Sequence, residues 1–315
     1  MKIIVTDGYT LNPGDLSWSS IEQFGELTVY DRSSENELVE KCSSADIILS
    51  NKTVFSKATI NQLQKVKLIS VLAAGYNVID IKAAREKGIT VCNTPGYGTP
   101  TVAQHTIALL LELTNHVGLH AASVANAEWV TSKDWCYSKT TIIELAGKTL
   151  GVVGLGNIGI QVAIIARAVD MRIIYYSRHK KETPLATYVD MQTLFSESDF
   201  ISLHCPLKPD NHQFVNKELL QLMKPTAYLI NTARGQLINE QDLADALNNN
   251  QIAGAALDVL SKEPPDKSNP LLSAKNCIIT PHNAWMSKEA RQRILEITRK
   301  NIEAFLQHKP VNVVN

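Results

Sequence analysis

The chain reads as an α/β protein made of two doubly wound parallel-sheet domains. Three observations predict this class. A β-branched run enters a glycine-rich turn, and an apolar helical pattern leaves it, over residues 149 to 169. Two series of short apolar runs alternate with helix-compatible stretches. And 315 residues exceed what one core usually holds, about 100 to 200 residues per domain.

The first series has apolar runs at 2 to 6, 27 to 30, 46 to 49, 67 to 72 and 89 to 92, separated by patterns such as SENELVEKC and KATINQLQKV. These runs are nearly continuous rather than alternating, as strands buried on both faces of a parallel sheet are. A helical run, TPTVAQHTIALLLELTNHVGLHAASVANAE, follows, and then residues 128 to 145, which hold two tryptophans but little periodicity. That segment reads either as a packed surface arm that meets a partner subunit or as two buried tryptophans in a single chain. The second series has strand patterns at 149 to 153, 171 to 176, 199 to 203, 226 to 231, 252 to 258 and 276 to 280. Six parallel strands are the number a doubly wound nucleotide-binding sheet uses. The Pro-rich patch at 263 to 270 reads as a rigid loop, and a last helical pattern, SKEARQRILEITRKNIEAFLQHK, is expected to dock back on the first domain. The expected division is therefore 1 to 98 with 284 to 315 as one discontinuous domain, and 99 to 283 as the other.

Within the turn, Gly154-Leu155-Gly156-Asn157-Ile158-Gly159 has the spacing of a dinucleotide grip. The first glycine permits a tight turn, the second lets a pyrophosphate approach bare backbone, and the third lets helix pack on strand. The helix N-terminus then presents N–H groups to the phosphates. A membrane span is excluded here because Asn157, Gln161 and Arg167 interrupt the apolar run.

Thirty-one basic and 31 acidic residues give zero net charge, so no electrostatic footprint for nucleic acid or an anionic membrane stands out. The five cysteines are an odd number without a C-x-x-C pair, which points to neither a disulfide framework nor a metal site. With no signal-peptide pattern in MKIIVTDGY, reduced thiols and a cytoplasmic location are expected.

Three polar residues follow expected strand ends in the second series: Arg234 after AYLINTA, Glu263 after GAALDVLSK and His282 after CIITP. Ligands of open parallel sheets bind beyond the carboxyl ends of the strands, so these three can meet at one ligand. Beside a hydride-donating nicotinamide, they are the minimum set for reducing a 2-oxo acid. A histidine supplies the hydroxyl proton, and a neighbouring carboxylate favours its charged form. An arginine offers a planar fork to the substrate carboxylate and polarises the adjacent carbonyl.

The segments GVVGLGNIG, INTARGQLINEQDLADAL, ALDVLSKEPP and ITPHNAW resemble the signatures of the D-isomer-specific 2-hydroxyacid dehydrogenase family. LAAGYNVIDI, VCNTPGYGTPTVAQHTIALLL, ELAGKTLG and LHCPLKPDNHQFVN extend the resemblance over nearly the whole chain. It implies a Rossmann-like nucleotide-binding domain and a discontinuous flavodoxin-like substrate domain. It further implies that Arg234 binds and polarises the oxo acid, Glu263 orients and charges His282, and His282 is the acid/base. Backbone around Ala74 and Gly75 would hold the substrate carboxylate, Asp258 would meet the nicotinamide carboxamide, and His204, Cys205 and Pro206 would line the cofactor path. Thr232, Ala233 and Ala284 are expected beside that path, and the resemblance implies a homodimer with its arm near 120 to 145. The opening DGYTLNPGDLSW is similar to the glycerate dehydrogenase or hydroxypyruvate reductase branch, in which Lys52 would lie near the substrate. Hydroxypyruvate or glyoxylate is then the expected substrate. A phosphoglycerate dehydrogenase and a nucleotide-sensing corepressor on the same scaffold are the alternatives. Gln104 departs from the acid many relatives carry after VA.

The carboxylate that binds the ribose of NAD should fall about 20 residues past the grip. Ser177, Arg178, His179, Lys180 and Lys181 stand there instead, which favours NADP over NAD.

Overall fold

Strands form where apolar runs can be covered on both faces. In the computed structural model, which describes residues 1–315, five of them build the sheet of one unit, Met1–Gly98 with Trp285–Asn315. Its elements are β1 (Lys2–Val5), α1 (Ser19–Glu22), β2 (Glu26–Val29), α2 (Leu38–Lys41), β3 (Ile47–Ser50), α3 (Lys57–Gln62), β4 (Leu68–Val71), α4 (Ile81–Glu86) and β5 (Thr90–Cys92). All pairs are parallel, in the order β2-β1-β3-β4-β5, which is the flavodoxin-type order. Every residue of β3 and β4 is buried. The C-terminal helix Lys288–Leu306 belongs to this unit; Ser287 caps it by accepting the Ala290 N–H, and its stripe of Ala290, Ile294, Leu295 and Ile302 is buried. Arg291 ties the helix to the N-terminal loop through a two-pronged pair with Asp15, at 2.6 and 2.7 Å, and a bond to the Leu11 carbonyl. The guanidinium fork matches the carboxylate here.

The other unit is Thr99–Ala284, so the second crossing falls one residue beyond the expected boundary. It contains α5 (Thr99–Asn115), α6 (Val117–Ala125), β6 (Thr149–Val153), α7 (Asn157–Arg167), β7 (Arg172–Tyr176), β8 (Thr187–Tyr188), α8 (Met191–Glu197), β9 (Phe200–Leu203), α9 (Lys217–Leu222), β10 (Tyr228–Asn231), α10 (Glu240–Asn248), β11 (Gly254–Leu257) and β12 (Cys277–Ile279). The parallel sheet has the order β12-β11-β10-β9-β6-β7-β8. Strand order reverses between β6 and β9, and the carboxyl ends there open a crevice.

Two details differ from the expectations, and one open alternative closes. The sheet has seven strands, because β8 adds a two-residue edge beside β7, held by Tyr188 packing edge-on against Tyr175 at 5.4 Å. The long helical run breaks at His116, whose φ of 47° is left-handed, so α5 and α6 are separate helices. Residues 128 to 145 have little regular structure, and Trp129 and Trp135 are 52% and 78% exposed, which excludes the reading as two buried tryptophans. No single helix is long and apolar enough to cross a membrane.

Candidate active site

The glycine turn sits at the reversal point, directly after β6. Each glycine has a separate reason to lack a side chain. Gly154 has φ +99°, and a Cβ there would stand 2.7 Å from the Cys205 backbone nitrogen, so the turn lies against the end of β9. At Gly159 a Cβ would meet the Gly154 carbonyl at 2.3 Å, because α7 packs tightly on the turn. At Gly156 it would meet nothing within 4 Å. That position therefore faces open space, at the start of an 11-residue helix whose first N–H groups, at Asn157, Ile158 and Gly159, have no intrahelical acceptor. Open backbone beside unpartnered helical donors is the surface a pyrophosphate needs.

The residues after β7 shape the same turn. Ser177 Oγ accepts the Leu155 N–H at 2.9 Å, and Lys181 donates to the Leu155 carbonyl at 2.8 Å. Leu155 is thus held at both its N–H and its carbonyl. Arg178 pairs with Asp210 from the segment after β9, which balances part of the positive charge expected in this cluster; Lys180 is exposed. On the β9 side, burial pushes the His204 imidazole down to about 4, so it is neutral at pH 7 and shares a 2.8 Å hydrogen bond with Ser202. Burial also raises the Cys205 thiol to about 11, so it stays protonated at neutral pH. Pro206 is exposed, and its carbonyl accepts from Asn211.

Arg234, Glu263 and His282 follow β10, β11 and β12, which are neighbours in the sheet. Glu263 and His282 meet directly, with Oε2 2.5 Å from Nδ1. The other carboxylate oxygen accepts the Leu260 N–H at 3.0 Å, so the carboxyl is aimed by its own loop. His282 has a left-handed backbone, φ 51°, a conformation that costs roughly 1–2 kcal/mol outside glycine. Asp258 supplies the compensation. Its carbonyl accepts the His282 N–H at 2.9 Å, and its buried carboxylate accepts from Thr280 Oγ1 (2.6 Å), Asn283 N (3.0 Å) and Ala284 N (2.9 Å). Asp258 therefore holds the histidine loop, with His105 from α5 also 3.6 Å from its carboxylate.

Arg234 lies in a turn fixed by the buried Asn231, which donates to the Arg234 carbonyl at 2.8 Å and accepts the Ala233 N–H at 2.9 Å. One prong of the guanidinium donates to the Ala233 carbonyl at 2.7 Å. Thr232 bonds Thr106 of α5 at 2.9 Å. The next residue, Gly235, lies so close to the Glu263 loop that a Cβ would stand 1.9 Å from the Leu260 carbonyl carbon. The turn bearing Arg234 and the loop bearing Glu263 are in direct contact. A fixed imidazole–carboxylate pair with a guanidinium on the adjacent strand end can deliver a proton and bind a carboxylate.

Lys52, Ala74 and Gly75 belong to the other unit. Lys52 is exposed, and its loop is shaped by Asp7, whose carboxylate accepts the N–H groups of Asn51 (2.9 Å), Lys52 (2.5 Å) and Thr53 (3.0 Å). The ammonium of Lys52 lies 5.6 Å from the Trp285 ring centre. Ala74 is exposed and its carbonyl accepts from Asn93 at 2.7 Å. Sequence reasoning passed over Asp7, His105, Asp210, Asn231 and Thr280. All five lie inside segments that carry the family resemblance, which is the only signal they offer.

The family model described as D-isomer specific 2-hydroxyacid dehydrogenase, NAD binding domain, matches residues 107–284. Among its relatives, the hydroxypyruvate reductase of Blautia hydrogenotrophica is 47% identical, with both chains covered in full. The glycerate dehydrogenase of Methylorubrum extorquens is 41% identical over 88% of each chain. A solved acyclic imino acid reductase in complex with NADPH and D-arginine is 34% identical, has a TM-score of 0.87 and is covered, like this chain, over 100% of its length.

Proposed function

The chain belongs to the D-isomer-specific 2-hydroxyacid dehydrogenase family, and from that premise we propose that it reduces hydroxypyruvate or glyoxylate to D-glycerate or glycolate. The names of the two relatives above support the choice of substrate. The observation that carries the chemistry is the 2.5 Å Glu263–His282 pair on the carboxyl edge that also holds the glycine turn. A bound reduced nicotinamide supplies a hydride to C2. His282 gives its Nε2 proton to the oxygen that becomes the hydroxyl, while Glu263 holds Nδ1 and stabilises the charged ring before transfer. Arg234 binds the substrate carboxylate and polarises the C2 carbonyl.

NADP is the preferred cofactor in this reading. None of the five residues after β7, Ser177 to Lys181, is a carboxylate that would repel a 2′-phosphate, Arg178 and Lys180 are basic, and the imino acid reductase relative binds NADPH. Because Asp210 already engages Arg178, the preference is modest: on the order of tenfold in kcat/KM, the worth of one charge-assisted hydrogen bond. A panel of 2-oxo acids assayed with NADPH and NADH tests both parts. Hydroxypyruvate or glyoxylate should be the best substrate with NADPH; a large NADH preference overturns the cofactor assignment, and a better bulky or phosphorylated substrate overturns the substrate.

The chain acts as a homodimer in this reading, with the 128 to 145 segment in the interface. Trp129, Val130, Trp135 and Ile142 expose a run of apolar surface that a monomer would leave in water. Sedimentation equilibrium should find a dimer that Trp135→Glu weakens. A monomeric parent protein at micromolar concentration contradicts it.

A further inference from the structure

The loop that aims Glu263 is itself held from outside, and one side chain makes most of the hold. Glu240, the first residue of α10, points across to this loop: Oε1 accepts the Ser261 N–H at 2.7 Å, and Oε2 accepts from Ser261 Oγ at 2.7 Å and from Asn269 Nδ2 at 2.9 Å. The carboxylate does not serve as the cap of its own helix, because Asn239 does that by accepting the Asp242 N–H. Beside it, Gln236 donates to the Ser261 carbonyl at 2.7 Å, and Gly235 abuts Leu260. Ser261 thus has its N–H, hydroxyl and carbonyl all engaged by the segment that follows Arg234. The residue before it, Leu260, is the one whose N–H aims the Glu263 carboxylate at His282.

We propose that Glu240 is a positioning residue for proton transfer: it fixes the Leu260–Ser261 corner, and through that corner the Glu263 carboxylate that orients His282. The inference rests on the acid/base reading above. Arg234 meets this corner only through its neighbour Gly235, and Asn231 holds the Arg234 turn separately. Loss of the Glu240 clamp should therefore slow the step that moves a proton while leaving substrate affinity nearly unchanged. Misplacing a catalytic group by about 1 Å can cost on the order of 100-fold in rate. The remaining Gln236 and Gly235 contacts reduce the expected loss to about 10- to 100-fold.

The test compares the parent enzyme with Glu240→Ala and Glu240→Gln, using reduced cofactor and the best 2-oxo acid from the panel, with rates expressed per cofactor-binding site titrated by fluorescence. In Glu240→Ala, kcat should fall 10- to 100-fold, KM for the oxo acid should change less than about threefold, and the solvent deuterium isotope effect on kcat should rise. Glu240→Gln keeps an acceptor for Ser261 and should recover most of the rate. Should the alanine variant fail to fold, the glutamine variant must still show a raised isotope effect with an unchanged KM. A kcat per binding site and an isotope effect equal to the parent's in both variants, or a loss explained wholly by fewer binding sites, overturns the proposal. A parent enzyme that reduces no 2-oxo acid would overturn the functional reading instead.

Discussion

Arg234→Lys should lower kcat/KM for the 2-oxo acid by roughly 100- to 1,000-fold, about 2.7–4 kcal/mol of transition-state stabilisation. The guanidinium is planar, with five N–H donors in a fixed fork, and one of its prongs is already set by the Ala233 carbonyl at 2.7 Å. That bond orients the plane and leaves the other donors for the substrate carboxylate and carbonyl oxygen in the proposed complex. Lysine keeps the charge but presents a point charge on a flexible stem, and cannot make both contacts in one plane. The loss should appear in both kcat and KM, because the fork binds the carboxylate in the ground state and the developing oxyanion in the transition state. Steady-state kinetics with saturating cofactor measure it. A lysine variant within threefold of the parent would mean that Arg234 serves its turn and not the substrate.

The sheets were legible because their strands are continuous apolar runs. β3, β4, β6 and β9 are buried along their whole length, and such runs carry their own signal without alternation. β8 was not legible, since two residues, Thr187 and Tyr188, form a strand only through what Tyr188 packs against. The break at His116 was hidden for a related reason: neither glycine nor proline marks the left-handed residue.

In the site, the residue types at strand ends could be read, but what holds them could not. Asp258 bonds residues 22 to 26 positions away, Asp7 bonds amides 44 to 46 positions away, and Glu240 reaches Ser261 and Asn269 across 21 and 29. Such partners are set by which strands become neighbours, and strand order has no local signature. The same holds for Arg178 and Asp210, 32 positions apart. A basic cluster in the sequence becomes a partly neutralised one once β7 and β9 lie on either side of β6.

Replacing His282 carries the largest expected effect on the reaction itself. Asparagine keeps a polar side chain of similar reach and can still accept or donate a hydrogen bond, but it cannot give up a proton at neutral pH. General acid–base groups contribute about 10²- to 10⁴-fold, and this one stands at the end of a built chain, with Glu263 on Nδ1 and Asp258 holding a left-handed backbone. The glycine turn, Ser177 and Lys181 are unaffected by the change, so cofactor binding should persist. The direct measurement is single-turnover reduction of hydroxypyruvate by His282→Asn preloaded with NADPH, followed at the nicotinamide absorbance. The expected result is a rate roughly a thousandfold below the parent's with NADPH affinity within about threefold. A parental rate in the loaded variant would contradict His282 as the proton donor, and with it the catalytic pair.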